Sequence, residues 1–108
     1  MSSAKTRVLE GPLHRIKVRF VSQRTIERAA GSKREDNLRG LYIPDDNLIY
    51  VNKEISEEEQ LHILFHEVAH AIEFQTLGME EESRVDVIAK YLISLAKYKS
   101  LKEVVWLT

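Results

Sequence analysis

Ser56-Glu57-Glu58-Glu59-Gln60-Leu61-His62-Ile63-Leu64-Phe65-His66-Glu67-Val68-Ala69-His70-Ala71-Ile72 is the stretch on which the fold turns. Ser56, with Glu59 three residues on, makes a capping box, and three acids in the first turn suit the positive end of a helix dipole. Leu61, Leu64, Phe65, Val68 and Ile72 recur at helical spacing and form an apolar stripe. The pattern predicts a helix from about Glu57 to Thr76 that stops at Gly78. Histidines 62, 66 and 70 follow one another at intervals of four, so they share a face of that helix.

Residues 66–70 read H-E-x-x-H. Two imidazoles at i and i+4 reach one metal ion, while the adjacent glutamate turns toward the same cavity as a base. Two histidine pairs overlap here, but only His66 and His70 have a glutamate directly after the first member, since Ile63 follows His62. His66 and His70 are therefore the expected metal ligands, with Zn²⁺ as the expected ion. Glu67 is the expected general base, taking a proton from the attacking water and passing it to the leaving amine. His62 is expected at the surface or behind the ligands. A lone histidine on an amphipathic helix is ordinarily just a polar residue. Three of the chain's four histidines within nine residues of a capped helix favour the metal reading.

A catalytic zinc takes a third protein ligand and keeps one position open. Glu73 lies one turn beyond His70, and one straight helix poorly surrounds a tetrahedral ion with three ligands. The next acids are Glu80, Glu81 and Glu82, which open what reads as a second long helix through about Tyr98 with Val85, Ile88, Ala89, Leu92 and Ala96 inward. Glu82 and Asp86 form a carboxylate pair at i and i+4. In such a pair Glu82 can bind the ion while Asp86 accepts an N–H from a ligating histidine. On spacing alone Glu80 and Glu81 compete with Glu82, and all three also suit a helix first turn.

Upstream, His14 to Phe20 alternates Ile16, Val18 and Phe20 against Arg15, Lys17 and Arg19, predicting a half-exposed strand with an edge-protecting charged face. Ser22 to Ala30 predicts a short helix ending at Gly31, and the polar residues 31–39 a loop. Gly40–Ile43 and Leu48–Val51 are β-prone runs joined by Pro44-Asp45-Asp46-Asn47, turn chemistry that predicts a hairpin. Strand Leu48–Val51 offers an edge on which an extended peptide could pair. Tyr42 and Tyr50 are candidate oxyanion stabilisers, although aromatic strand residues more often pack. Residues 1–12 read as a flexible arm ending at Gly11-Pro12, and 13–108 as a single domain.

Composition fits one small domain with an ordinary core: 108 residues, 44% hydrophobic and 31% charged. No apolar run approaches a membrane span, and the N-terminus has no secretory-type apolar segment. The absence of cysteine rules out disulfides and thiolate zinc sites and favours a cytoplasmic setting. The net charge of −1 conceals an asymmetry, with ten Lys/Arg against four Asp/Glu in residues 1–40 and six against thirteen in 41–108. Nucleic-acid contact through Arg15, Lys17 and Arg19 is the weaker reading, because no aromatics are interleaved with the basic residues. The apolar tail Val104-Val105-Trp106-Leu107 is expected to dock on the core, on a protein partner or on a second copy.

From about residue 40 to 95 the chain resembles the ImmA/IrrE-type family of small zinc metallopeptidases, many of them encoded by phages and mobile elements. The likeness rests on the Gly40-Leu41-Tyr42 hairpin, the His66–His70 helix and the segment Glu82-Ser83-Arg84-Val85-Asp86-Val87-Ile88-Ala89-Lys90-Tyr91-Leu92-Ile93. That segment fits the family frame E-x-x-A-N-x-x-A-x-x-L-L, with Val85 for Ala and Asp86 for Asn. The methionine-proline ending is absent, the interval from His70 to Glu82 is short, and no DNA-binding or sensor domain is attached. The resemblance implies Glu82 as third ligand and intracellular, site-specific cleavage of a protein target such as a repressor. The expected architecture is thus α+β and zincin-like, a small antiparallel sheet packed on two long helices. The rival expectation is a zinc-containing, non-catalytic protein-binding module.

Overall fold

Ile16–Val21 alternates as its sequence demands, with Ile16 and Val18 fully buried and Lys17 exposed. A computed structural model of the chain describes residues 6–9, 15–31, 38–84 and 87–88. The elements are β1 (Thr6–Leu9), β2 (Ile16–Val21), α1 (Gln23–Ala30), β3 (Gly40–Ile43), β4 (Leu48–Asn52) and α2 (Glu57–Gln75), with a 3₁₀ turn at Pro44–Asp46. The fold is α+β, as expected from the sequence.

The sheet is mixed, however, where an antiparallel one was expected. Its order is β1-β2-β4-β3, and β2 runs parallel to β4 with Val18 opposite Ile49. The reason is α1, which carries the chain from β2 across the sheet so that β4 returns beside β2 in the same direction. β3, between them in sequence, is displaced to the outside and pairs antiparallel with β4. Two further expectations change with this order. β2 is an interior strand, because Thr6–Leu9, inside the segment read as a flexible arm, pairs antiparallel with it as β1. β4 has neighbours on both sides, so the edge next to α2 belongs to β3.

The hairpin itself forms as read. Pro44 opens the turn, and Asn47 closes it in the left-handed region at φ 47°. Asn47 is suited to that conformation, and its amide is put to use. Its side chain donates to the Arg15 carbonyl at 2.6 Å and accepts from the Tyr42 hydroxyl at 2.8 Å.

Both helix starts obey local chemistry. Ser22 accepts from the Thr25 N–H at the head of α1, and Ser56 accepts from the Glu59 N–H at the head of α2. The Glu59 carboxylate bonds the Arg39 guanidinium. α2 ends at Gln75, where the Thr76 hydroxyl donates back to the Ile72 carbonyl at 2.7 Å. Gly78 then takes a positive φ of 88°, which spares a side chain the left-handed strain.

One core lies between α2 and the sheet. Ile16 and Val18 of β2 and Ile49 and Val51 of β4 meet Leu64, Val68, Ala71 and Ile72 of α2. Leu61 and Phe65 of the expected stripe pack only half-buried at its margin. Gln60 is buried in their stead, its amide donating to the Asn52 carbonyl at 3.1 Å. Val21, Ile26 and Leu48 are buried outside this cluster. No buried side-chain polar atom among the described residues lacks a partner.

After the turn, residues 81–84 and 87–88 are helical, and the Arg84 N–H bonds the Glu80 carbonyl at 3.0 Å. Val87 is buried in the core that α2 occupies, and Ile88 packs half-buried against it. Among the described residues α2 is the only long helix. The expected continuation to Tyr98, with Val85, Asp86, Ala89, Leu92 and Ala96, lies outside the described residues, as does the tail 104–107.

Candidate metal centre

His66 and His70 stand one turn apart on the exposed side of α2, and their rings meet edge to face with centroids 4.8 Å apart. The two Nε2 atoms converge to 3.3 Å. Two nitrogens each bound at about 2.0–2.1 Å to a tetrahedral ion lie roughly 3.4 Å apart, so the pair already has the bite of a chelate. The side chains are 62% and 52% exposed, which leaves the converging face open to solvent and to a further ligand.

Glu67 differs from both. It is buried, with its carboxylate 4.0 Å from the His66 Nε2. Together His66, Glu67 and His70 form a group whose ligand atoms lie within 4.8 Å of one another. Burial pushes the Glu67 carboxyl above its usual range, while His70, His66 and the Tyr42 backbone N–H pull the other way. A carboxylate so placed is a better proton acceptor than an exposed one.

β3 closes over this group because Gly40 has no side chain. A Cβ at Gly40 would collide with the Ile63 Cγ2 and stand 3.2 Å from the Glu67 Cγ. The close approach lets the Tyr42 backbone reach the buried carboxylate. Between β3, α2 and the end of α1 lies a cavity of about 770 Å³. His66, Glu67, His70 and Phe74 line it from α2, and Ala29 and Ala30 from α1.

Other residues singled out from sequence have different fates. Glu82 is exposed and is not a member of the His66–Glu67–His70 group, so the third expected ligand is not brought together with the other two. Asp86 lies outside the described residues. Glu73 is exposed, and its carboxylate lies 3.9 Å from the His70 Nδ1, the ring nitrogen that does not face His66. His62 lines a separate cavity with Arg39 and Phe65. Tyr42 lines the main cavity, its hydroxyl donating to Asn47 and its ring meeting Phe74 edge-on at 6.2 Å. Tyr50 shares its register with Leu41 and Arg19, one residue out of phase with Val51, and so points to the sheet face away from α2. Tyr50 is not among the residues that line the main cavity. Of the basic trio, the Arg19 Nε is bonded to the Thr6 hydroxyl at 2.6 Å, while Arg15 and Lys17 are exposed.

Gly40, Phe74 and Leu77 were not anticipated as site residues. Phe74 follows His70 by four and therefore shares its face, a signal present in the sequence. Gly40 has no such signal, because its role depends on the close contact with Ile63, twenty-three residues away in sequence. No protein-family model, curated protein or solved structure matches the chain.

Proposed function

We propose that the protein is a zinc-dependent metallopeptidase of the cytoplasm that cleaves a specific protein target, for which a repressor is the class implied by the family resemblance. The observation that carries the proposal is the convergence of the His66 and His70 Nε2 atoms to 3.3 Å beside the buried Glu67 carboxylate. Two converging imidazoles, with no cysteine in the chain, are donors suited to Zn²⁺, and Glu67 beside them is kept for proton transfer. When bound, the ion would supply the Lewis acid that polarises the scissile carbonyl and acidifies water.

The chain's own residues do the rest. Glu67 takes one proton from the water that attacks the carbonyl carbon and delivers it to the amine nitrogen as the C–N bond breaks. Apart from the Tyr42 N–H, which is turned to Glu67, the edge of β3 offers backbone groups with which an extended substrate can pair, holding the scissile bond over α2.

Glu82 is our candidate for the third ligand. Its support is the likeness of the segment from Glu82 to the family frame; in the fold Glu82 is exposed and apart from the His66–Glu67–His70 group. Glu82→Gln should lower zinc affinity by more than about tenfold, the lower end of losses seen for outer-shell partners. Unchanged affinity by competition with a chelating dye would remove Glu82 from the site.

The function is tested by incubating the zinc-loaded chain with unfolded protein substrates and sequencing new termini by mass spectrometry. Cleavage that a chelator abolishes and added zinc restores is expected. Stoichiometric zinc with no cleavage of any substrate would favour the non-catalytic binding module instead.

A further inference from the structure

The three large apolar side chains exposed among the described residues, Phe74, Leu77 and Met79, all follow His70 within nine positions. Phe74 is 52% exposed and Leu77 81%, and both line the cavity that holds His66, Glu67 and His70. Ala29 and Ala30 face them from α1, small residues that leave width between the walls. Exposed apolar surface of this kind, continuous with a reactive cluster, is where a substrate side chain gains affinity by leaving water.

The strand gives the surface a direction. Gly40 sits over Ile63 and Glu67, and Tyr42 meets Phe74, so β3 and α2 advance side by side from the metal centre toward Phe74. A peptide pairing antiparallel with β3 enters at the Ile43 end and leaves at Gly40. The residues that reach Phe74 and Leu77 are then those preceding the bond held over Glu67.

We infer that the site selects an extended peptide segment with a bulky apolar side chain on the N-terminal side of the scissile bond, seated on Phe74 and Leu77. This rests on the peptidase reading above and adds the class of sequence that the site accepts. Phe74 and Leu77 act here by contact with substrate, not by holding the metal ligands.

Two measurements test it. In the first, the zinc-loaded chain digests a degenerate peptide mixture, and the cut sites are read by mass spectrometry. Leu, Met and Phe should be enriched before the cut, and Phe74→Ser or Leu77→Ser should erase that enrichment. For a peptide with Leu at that position, either variant should raise KM by about tenfold with kcat nearly unchanged, the scale for one apolar side chain in a pocket. In the second, fluorescence anisotropy follows binding of labelled Leu and Asp versions of one decapeptide to the metal-free chain. The Leu version should bind more tightly, and the difference should vanish in Phe74→Ser. Cleavage without apolar enrichment would overturn the inference and leave the peptidase reading standing. Leu-selective binding without cleavage of any peptide would overturn the peptidase reading and leave the apolar seat. Enrichment only after the cut would overturn the proposed direction.

Discussion

Glu67 is a carboxylate pressed between β3 and α2, and its position has a consequence that does not depend on metal. In the metal-free protein, burial holds its folded pKa above the unfolded value. Below the unfolded value both states carry the proton, and ionisation costs the fold nothing. As pH rises through the window between the two values, the unfolded chain releases its proton first and stability falls. Above the folded value the loss is complete and constant. Glu67→Gln never ionises, so its stability advantage over the wild type should be absent in acid, grow through that window and then level off. Urea midpoints of the two metal-free proteins across pH 3–8 measure this; an advantage that shrinks with rising pH would contradict the assignment. The histidines and Glu67 were legible in the sequence because one helix carries all three, and helical periodicity alone brings them together. Phe74 was equally accessible at i+4 from His70, but it lies beyond the motif and outside the apolar stripe Leu61, Leu64, Phe65, Val68 and Ile72. The place of Tyr50 depends on register, since one residue of phase turns a strand side chain to the other face, and it stands out of phase with Val51.

At the scale of elements, the approach of β3 to α2 sets the site. Gly40→Ala adds one methyl where Ile63 already stands, and the Ile63 side chain, the strand or the helix must give way. Overpacking of this kind costs about 1–3 kcal/mol. Ile63→Ala removes the obstructing methyl, so the double variant should recover part of the loss. A coupling energy above about 0.5 kcal/mol in a double-mutant cycle of urea midpoints is expected. Strictly additive losses would mean that the two elements do not meet at this point. The helix cap at Ser56 and the Pro44-Asp45-Asp46-Asn47 turn were legible because residues within four positions decide them. The strand order was not, because β2 and β4 are some thirty residues apart and their parallel pairing depends on where α1 returns the chain. Reading neighbouring strands as hairpins gives β3–β4 correctly and misses β2–β4. The short β1 was missed because four residues between a polar start and Gly11-Pro12 carry too little alternation to stand out.

For the whole molecule, a sheet with α2 on one face leaves the His66–Glu67–His70 group at the rim of the core, so an ion bound there would be coupled to folding. Zinc that binds the folded chain alone should raise Tm. At a free concentration one hundred times Kd the gain is about 2.7 kcal/mol, or roughly 10–20 °C for a domain of this size. His66→Ala or His70→Ala should abolish the rise, read by thermal melts with and without zinc. A rise that persists in both variants would place the metal elsewhere. The most direct test of the central claim compares wild type with Glu67→Gln at equal, verified zinc occupancy on the same cleavable peptide. The variant should bind zinc and cleave about 10²–10⁴ times more slowly, the usual contribution of a general base. Equal rates for the two proteins would show that the His66-Glu67-His70 group does not perform the hydrolysis.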